Sequence, residues 1–181
     1  MGAYSEVAEA AERHKEAGTS RWMPIAAAAV AVLAALATMM SNQRANQAII
    51  AKNQAIVSFT RASDTYNYYQ AKSIKEEVYR ATIMSRGSPL PQAQAIVDHE
   101  HASKQTVLSK AMALEKQAGR EDDLSERYVH SYETLEIGVA FFEVAVVIFS
   151  ISSLLQTLLL PAVAAVAALV GLGFSIAGLP Y

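Results

Sequence analysis

Gly87-Ser88-Pro89-Leu90-Pro91 is the strongest break in the chain, and the fold follows from what lies on either side of it. Before it, residues 41–86 contain neither proline nor glycine. After it, residues 92–118 resume a helical pattern, with Val107, Ala111, Leu114 and Ala118 on one face. Glycine and proline in this density end a helix, and their absence lets one continue. The two flanks, residues 42–86 and 92–134, are nearly equal in length. At 1.5 Å per residue each would reach on the order of 65 Å if fully helical. Equal helical arms joined by a turn at 87–91 predict an antiparallel, coiled-coil-like hairpin. Gly119 permits a break in the return arm, and Asp122 or Asp123 could cap a new helix there.

Outward from the hairpin, the apolar residues come in blocks. Residues 23–40 carry no charge and a single polar side chain, Thr38. Residues 137–160 carry a single charge, Glu143, and residues 162–179 carry none. A helix needs about 20 apolar residues to cross a bilayer's hydrocarbon core. The expected fold is therefore an all-α membrane protein: three transmembrane helices, with a long extramembrane hairpin between the first and second. The boundaries read as a short N-terminal helix or tail at 1–21, spans at 22–40, 137–158 and 159–181, and the hairpin at 41–136. In the tail, Ser5 can cap a short helix that Gly18 ends, and Ser20 can start the next, with Pro24 in its first turn. Four glutamates (Glu6, Glu9, Glu12, Glu16) precede the first apolar block, unlike the basic start of a signal peptide, so the block reads as an anchor.

All fifteen Lys and Arg residues precede Val129. Acids balance bases within residues 41–134, which argues against a nucleic-acid partner. There is no cysteine, so disulfides and thiolate metal sites are excluded. Arg13, Lys15 and Arg21 flank the first span on its N-terminal side. By the positive-inside rule this favours a cytoplasmic N-terminus and a hairpin on the far, periplasmic side.

Residues that could pack helices are easier to find than residues that could do chemistry. Ala27, Ala31 and Ala35 recur every four positions, as do Ala167, Gly171 and Ser175, and small residues let helices approach closely in lipid. In the first arm an apolar face runs through Ala48, Ala55, Phe59, Ala62, Tyr66, Tyr69, Val78 and Ala81, with Lys72 and Ser73 reading as interruptions. Phe59, Tyr66, Tyr69 and Ile74 are the expected contacts there. Glu143 is the one ionisable residue inside an apolar block. A charge there is costly, so it reads either as a proton or cation site or as a hydrogen-bonded residue, with Gln156 or Ser150 as partner. Asp98-His99-Glu100-His101 resembles a metal cluster, but His99 and His101 lie about 200° apart on a helix. Asp98 with His101 and His130 with Glu133 share faces at different heights, so no metal or other cofactor is expected. No Gly-rich phosphate loop, nucleophile triad or Walker pattern appears.

Tyr68-Tyr69-Gln70-Ala71-Lys72-Ser73-Ile74-Lys75 resembles the signature of a bacterial membrane family known as domain of unknown function 4337. Asn46-Gln47-Ala48 and Leu135-Glu136-Ile137-Gly138-Val139 resemble it as well, as does the order of anchor, long helical region and two closing spans. The chain departs from that pattern at Tyr66, where a tryptophan is expected, at Glu143, where an amide is expected, and at Leu155-Gln156-Thr157, where an arginine-rich turn is expected. The resemblance implies a bacterial inner-membrane location and brings no activity with it. The expectation is a non-enzymatic integral membrane protein in contact with the bilayer. It would form a homo-oligomer or serve as an accessory or scaffold subunit of a larger membrane complex. The alternative is a small oligomeric ion or proton channel or transporter that uses Glu143.

Overall fold

The computed structural model describes the backbone of residues 3–86, 91–155 and 159–179, and within these the side chains from Trp22 onward except that of Arg86. The described residues form three helices: α1 (Ala3–Arg86), α2 (Pro91–Leu155) and α3 (Leu159–Ala177). The expected turn at 87–91 lies outside the described residues apart from Pro91, and the expected turn at 155–157 lies outside them apart from Leu155.

Two expected pauses are not taken. The backbone of α1 stays helical through Gly18, Ser20 and Pro24. A mid-helix glycine costs about 1 kcal/mol relative to alanine, which a long helix tolerates. Likewise α2 runs through Gly119, Asp122 and Asp123. The two aspartates do not cap a helix; Asp122 instead pairs with Lys52.

The chain divides into two units. One consists of Met1–Asn46 with Arg127–Tyr181, the other of Gln47–Glu126. In the second unit α1 and α2 pack antiparallel. Ser125 donates to the Ala48 carbonyl, Ser58 to Glu121 and Tyr66 to Glu115, so partners descend along α2 as they ascend along α1. The seam is built of small side chains: Ala48, Ala51, Ala55, Ser58 and Ala62 on α1, with Ala111, Ala118 and Ser125 on α2, all buried. Its positions step alternately by four and three, the 3.5-residue period of a coiled coil.

In the first unit the same stepping runs through Met23, Val30, Ala37 and Ser41 of α1, which are buried. Val30 and Ala37 share one buried cluster with Val139, Phe142 and Phe149 of α2, and the buried Leu135 of α2 lies against Gly178. Here the α2 side chains are large and fill the space between α1 and α3. Ser41 donates to Glu136 at 2.7 Å, Ser152 lies against the Met23 sulfur, and the Trp22 ring meets Phe149 edge-on. The α2–α3 contact is closer still. A Cβ on Gly138 would sit 2.9 Å from the Gly171 carbonyl oxygen, and one on Gly171 would sit 2.9 Å from that of Gly138. These two glycines bring backbone against backbone.

Each helix also contains an 18-residue window long and apolar enough to cross a membrane, with mean hydropathies of 2.1, 2.2 and 2.3 in chain order. Only 17%, 33% and 22% of those windows are buried, so most of their apolar surface is left for something else to cover.

Gly138→Ala should weaken the α2–α3 packing by about 1–3 kcal/mol, the usual cost of overpacking. Gly173→Ala meets nothing within 4 Å and serves as its control. Gly119→Ala, also open, should stabilise α2 by about 0.5–1 kcal/mol. Thermal unfolding of the purified variants, followed by circular dichroism, checks all three directions.

Candidate functional site

In the second unit, the seam that is alanine over 48–62 becomes ionic between residues 72 and 104. Glu76 of α1 and Glu100 of α2 are buried, with 1% and 4% of their surface exposed. Both occupy seam positions. Glu76 continues the series Ala48, Ala55, Ala62, Tyr69 by one more step of seven, and Glu100 precedes Val107 and Leu114 by the same step. A buried carboxylate needs cations and hydrogen bonds around it. Lys72 and Lys75 supply them to Glu100 at 2.7 and 2.6 Å. Lys104 and Arg80 supply them to Glu76, each at 2.6 Å, and His101 Nδ1 lies 3.3 Å from the same carboxylate. Lys72, itself at a seam position and mostly buried, also lies 5.0 Å from the centre of the Tyr68 ring, a cation–π distance.

The two ammonium groups hold the Glu100 carboxyl down at about 2. Lys104 chiefly, with His101 aiding, lowers Glu76 against the opposing effect of burial. Glu121 is lowered by hydrogen bonds from Gln117 and Ser58. Conversely, Glu100 raises Lys72, Asp122 raises Lys52, and the hydrogen bond to Glu115 raises the Tyr66 phenol. Beside this network, Arg80, Ile83, Met84, Gln94, Val97, Asp98 and His101 line an open cleft. What the arrangement does chemically is to fix the register of two helices that alanine alone would let slide. Among the described residues, no three His, Asp or Glu side chains gather as a metal site would require.

The residues named from the sequence are distributed as follows. In the first unit, Ala27 packs against the apolar cluster, whereas Ala31 and Ala35 are exposed. A step of four advances 400° around a helix, so that series turns off a seam whose period is 3.5. Ala167 packs against the cluster, Gly171 is buried, and Ser175 donates back to the Gly171 carbonyl. In the second unit, Tyr66 and Tyr69 are half-buried, and Phe59 and Ile74 are 64% and 65% exposed. Val78, expected on the packing face, is also exposed, as is Leu124. Lys72 and Ser73 do not interrupt the packing face: Lys72 is a seam residue, and Ser73 flanks the seam half-buried. Glu143 is exposed and bonds to no other described residue. Ser150, a partner expected for it, donates instead to the Val146 carbonyl, and Gln156 lies outside the described residues.

Glu76 and Glu100 were not legible as site residues from an apolar pattern, because a pattern of apolar residues passes over charges. Extending the seven-residue step past Tyr69, and back from Val107, would have found both.

A family model for a domain of unknown function, DUF4337, matches residues 19–180. The chain belongs to that family. No curated protein and no solved structure matches it. Within the DUF4337 match lie Lys72, Lys75, Glu76 and Glu100, so the ionic seam is part of the domain and not of an appendage.

Glu100 fixes the acid side of the stability profile. Its folded-state pKa of about 2 lies below the unfolded value, so its contribution is full above about 4.5 and is lost as pH falls toward 2. Glu76 and Glu121 act in the same direction. Lys52 and Lys72 are raised, so their contribution is full below 10.5 and is lost as pH climbs through their folded values. The unfolding midpoint should therefore be flat between about pH 5 and 10, fall below it as Glu100 protonates, and fall above about 10.5 as the lysines lose their protons. Glu100→Gln should flatten the acid limb and lower the plateau, because it leaves the mostly buried Lys72 without its anion. Lys75→Met, at a half-exposed position, should cost less. Thermal melts from about pH 2 to 12 are the check.

Proposed function

We propose that this chain is a non-enzymatic integral membrane protein of the bacterial inner membrane. In this reading, the apolar windows of α1, α2 and α3 lie in lipid, with the N-terminus cytoplasmic and the Gln47–Glu126 unit periplasmic. It assembles with copies of itself or with a larger membrane complex, as a structural or scaffold subunit. The observation that carries this reading is what the second unit leaves uncovered. Its seam groups are consumed in joining two helices, while Ile49, Ile50, Ile56, Val57 and Phe59 stand 48–64% exposed on α1. Large apolar side chains grouped along one stretch of a helix mark a contact surface. Ile56 and Phe59 also line an apolar groove with Ala55, Ala118 and Gly119. A channel or transporter-like assembly is the second reading, favoured by the exposed Glu143 in an otherwise uncharged stretch.

The native mass of the particle in nanodiscs tests the leading reading. A discrete multiple of the 19.5 kDa chain, or a fixed stoichiometry with another subunit, supports it. A homogeneous monomer removes it. The double variant Ile56→Glu with Phe59→Glu should reduce the assembled fraction without changing helix content by circular dichroism, because both side chains are exposed within the chain.

A further inference from the structure

Along α2, Glu136, Ala140, Glu143, Val147 and Ser150 are spaced by alternating steps of four and three and are all exposed. They form a second stripe at the coiled-coil period, about 100° round α2 from the seam that Val139, Phe142, Val146 and Phe149 make within the chain, and Glu136 at its start accepts a hydrogen bond from Ser41 of α1. We propose that this stripe is the contact between copies of the chain in the membrane, and that the Glu143 carboxyls of neighbouring copies share a proton there. The inference rests on membrane insertion and self-assembly as read above.

The argument is one of elimination and symmetry. Lipid is a poor neighbour for Glu143: a polar group in hydrocarbon is costly unless it faces protein or water. No cation within the apolar blocks can pair with it, because no Lys or Arg follows Arg127 and none lies in residues 23–40. The hydroxyls of Thr38, Ser150 and Ser175 donate to carbonyls of their own helices. The occupant must therefore bring a polar group of its own to that depth. Copies inserted in one orientation are related by a rotation axis along the bilayer normal. Each residue on such an axis meets its own equivalent at the same height. Glu143 of one copy then meets Glu143 of the next, with Glu136 and Ser150 about 10 Å to either side along the helix. Ala140 is small enough to let the two helices close, and Val147 supplies the apolar contact. Two carboxyls in an apolar contact do not both ionise; one proton taken up from water lets the acid O–H of one donate to the carboxylate oxygen of the other.

The chain has no cysteine, so single-cysteine variants report contacts without background. In native membranes, Ala140→Cys and Val147→Cys should form disulfide-linked dimers on oxidation. Phe141→Cys and Leu155→Cys, about 130° round α2 from the stripe, should not, although Phe141, Val147 and Leu155 are all exposed, at 36%, 56% and 61%. Glu143→Ala should raise the dissociation constant of the assembly about tenfold, as expected for loss of one interhelical hydrogen bond in lipid, whereas Glu143→Gln, whose amide still pairs, should leave it within about twofold. An apolar carbodiimide, which adds the acid O–H across its N=C=N bond, should label Glu143 and should not label that position in Glu143→Gln. Equal or stronger crosslinking at Phe141→Cys and Leu155→Cys overturns the stripe, as does a Glu143→Ala variant that dissociates no more readily than the parent. Absence of carbodiimide label overturns the shared proton. If those failures come from a particle that is still oligomeric, the assembly reading stands and only this contact falls. A monomeric particle removes both.

Discussion

The small-residue seam of the Gln47–Glu126 unit constrains the rest of that unit. Ala48, Ala51, Ala55 and Ala62 face Ala111 and Ala118 across a contact too narrow for large side chains. Each buried alanine methyl contributes roughly 0.8 kcal/mol, and alanine offers no shape that fixes one register over another. Side-chain polar groups that cross the seam provide what alanine lacks. Ser125 reaches the Ala48 carbonyl, Ser58 reaches Glu121, and Lys72 reaches Glu100. Each link is possible at one register only, since a slip of one heptad step would leave a buried carboxylate facing apolar side chains. The polar seam positions thus specify the pairing that the apolar ones stabilise.

Within the Met1–Asn46 and Arg127–Tyr181 unit the same period is met by a different solution. There the seam is Met23, Val30 and Ala37 against Phe142 and Phe149, and α3 closes onto α2 through Gly138 and Gly171. Large side chains set the spacing on one side of α2, and missing side chains set it on the other. Ion pairs are absent from the apolar windows for a simple reason: the sequence places no cation there. The charge distribution along the chain therefore decides which kind of specificity each unit can use.

Much of this was legible before the structure. The long helices and the three apolar blocks follow from composition and from where glycine and proline fall. The faces were read less well, for a physical reason. A list of apolar residues treats Lys72 as an interruption, whereas a seam position is defined by geometry and accepts any side chain that finds a partner. Glu76 and Glu100 satisfy that condition and are among the most buried residues of their unit. The four-residue series Ala27, Ala31, Ala35 failed in the opposite way: its chemistry suits a contact, but its period drifts off the face. Gly18 and Gly119 did not end helices, because a glycine only lowers helix stability and neighbouring residues on long helices outweigh it.

Three carboxylates separate along the same line. Glu76 and Glu100 lie among Lys72, Lys75, Arg80 and Lys104, and each is met from both helices or by two cations at once. Glu143 lies beyond the last basic residue, Arg127, and the hydroxyls of Ser150 and Ser175 donate to carbonyls of their own helices. Among the described residues, the first two find partners and the third does not. On the assembly proposed above, the partner that Glu143 lacks among the described residues is its own equivalent in a neighbouring copy.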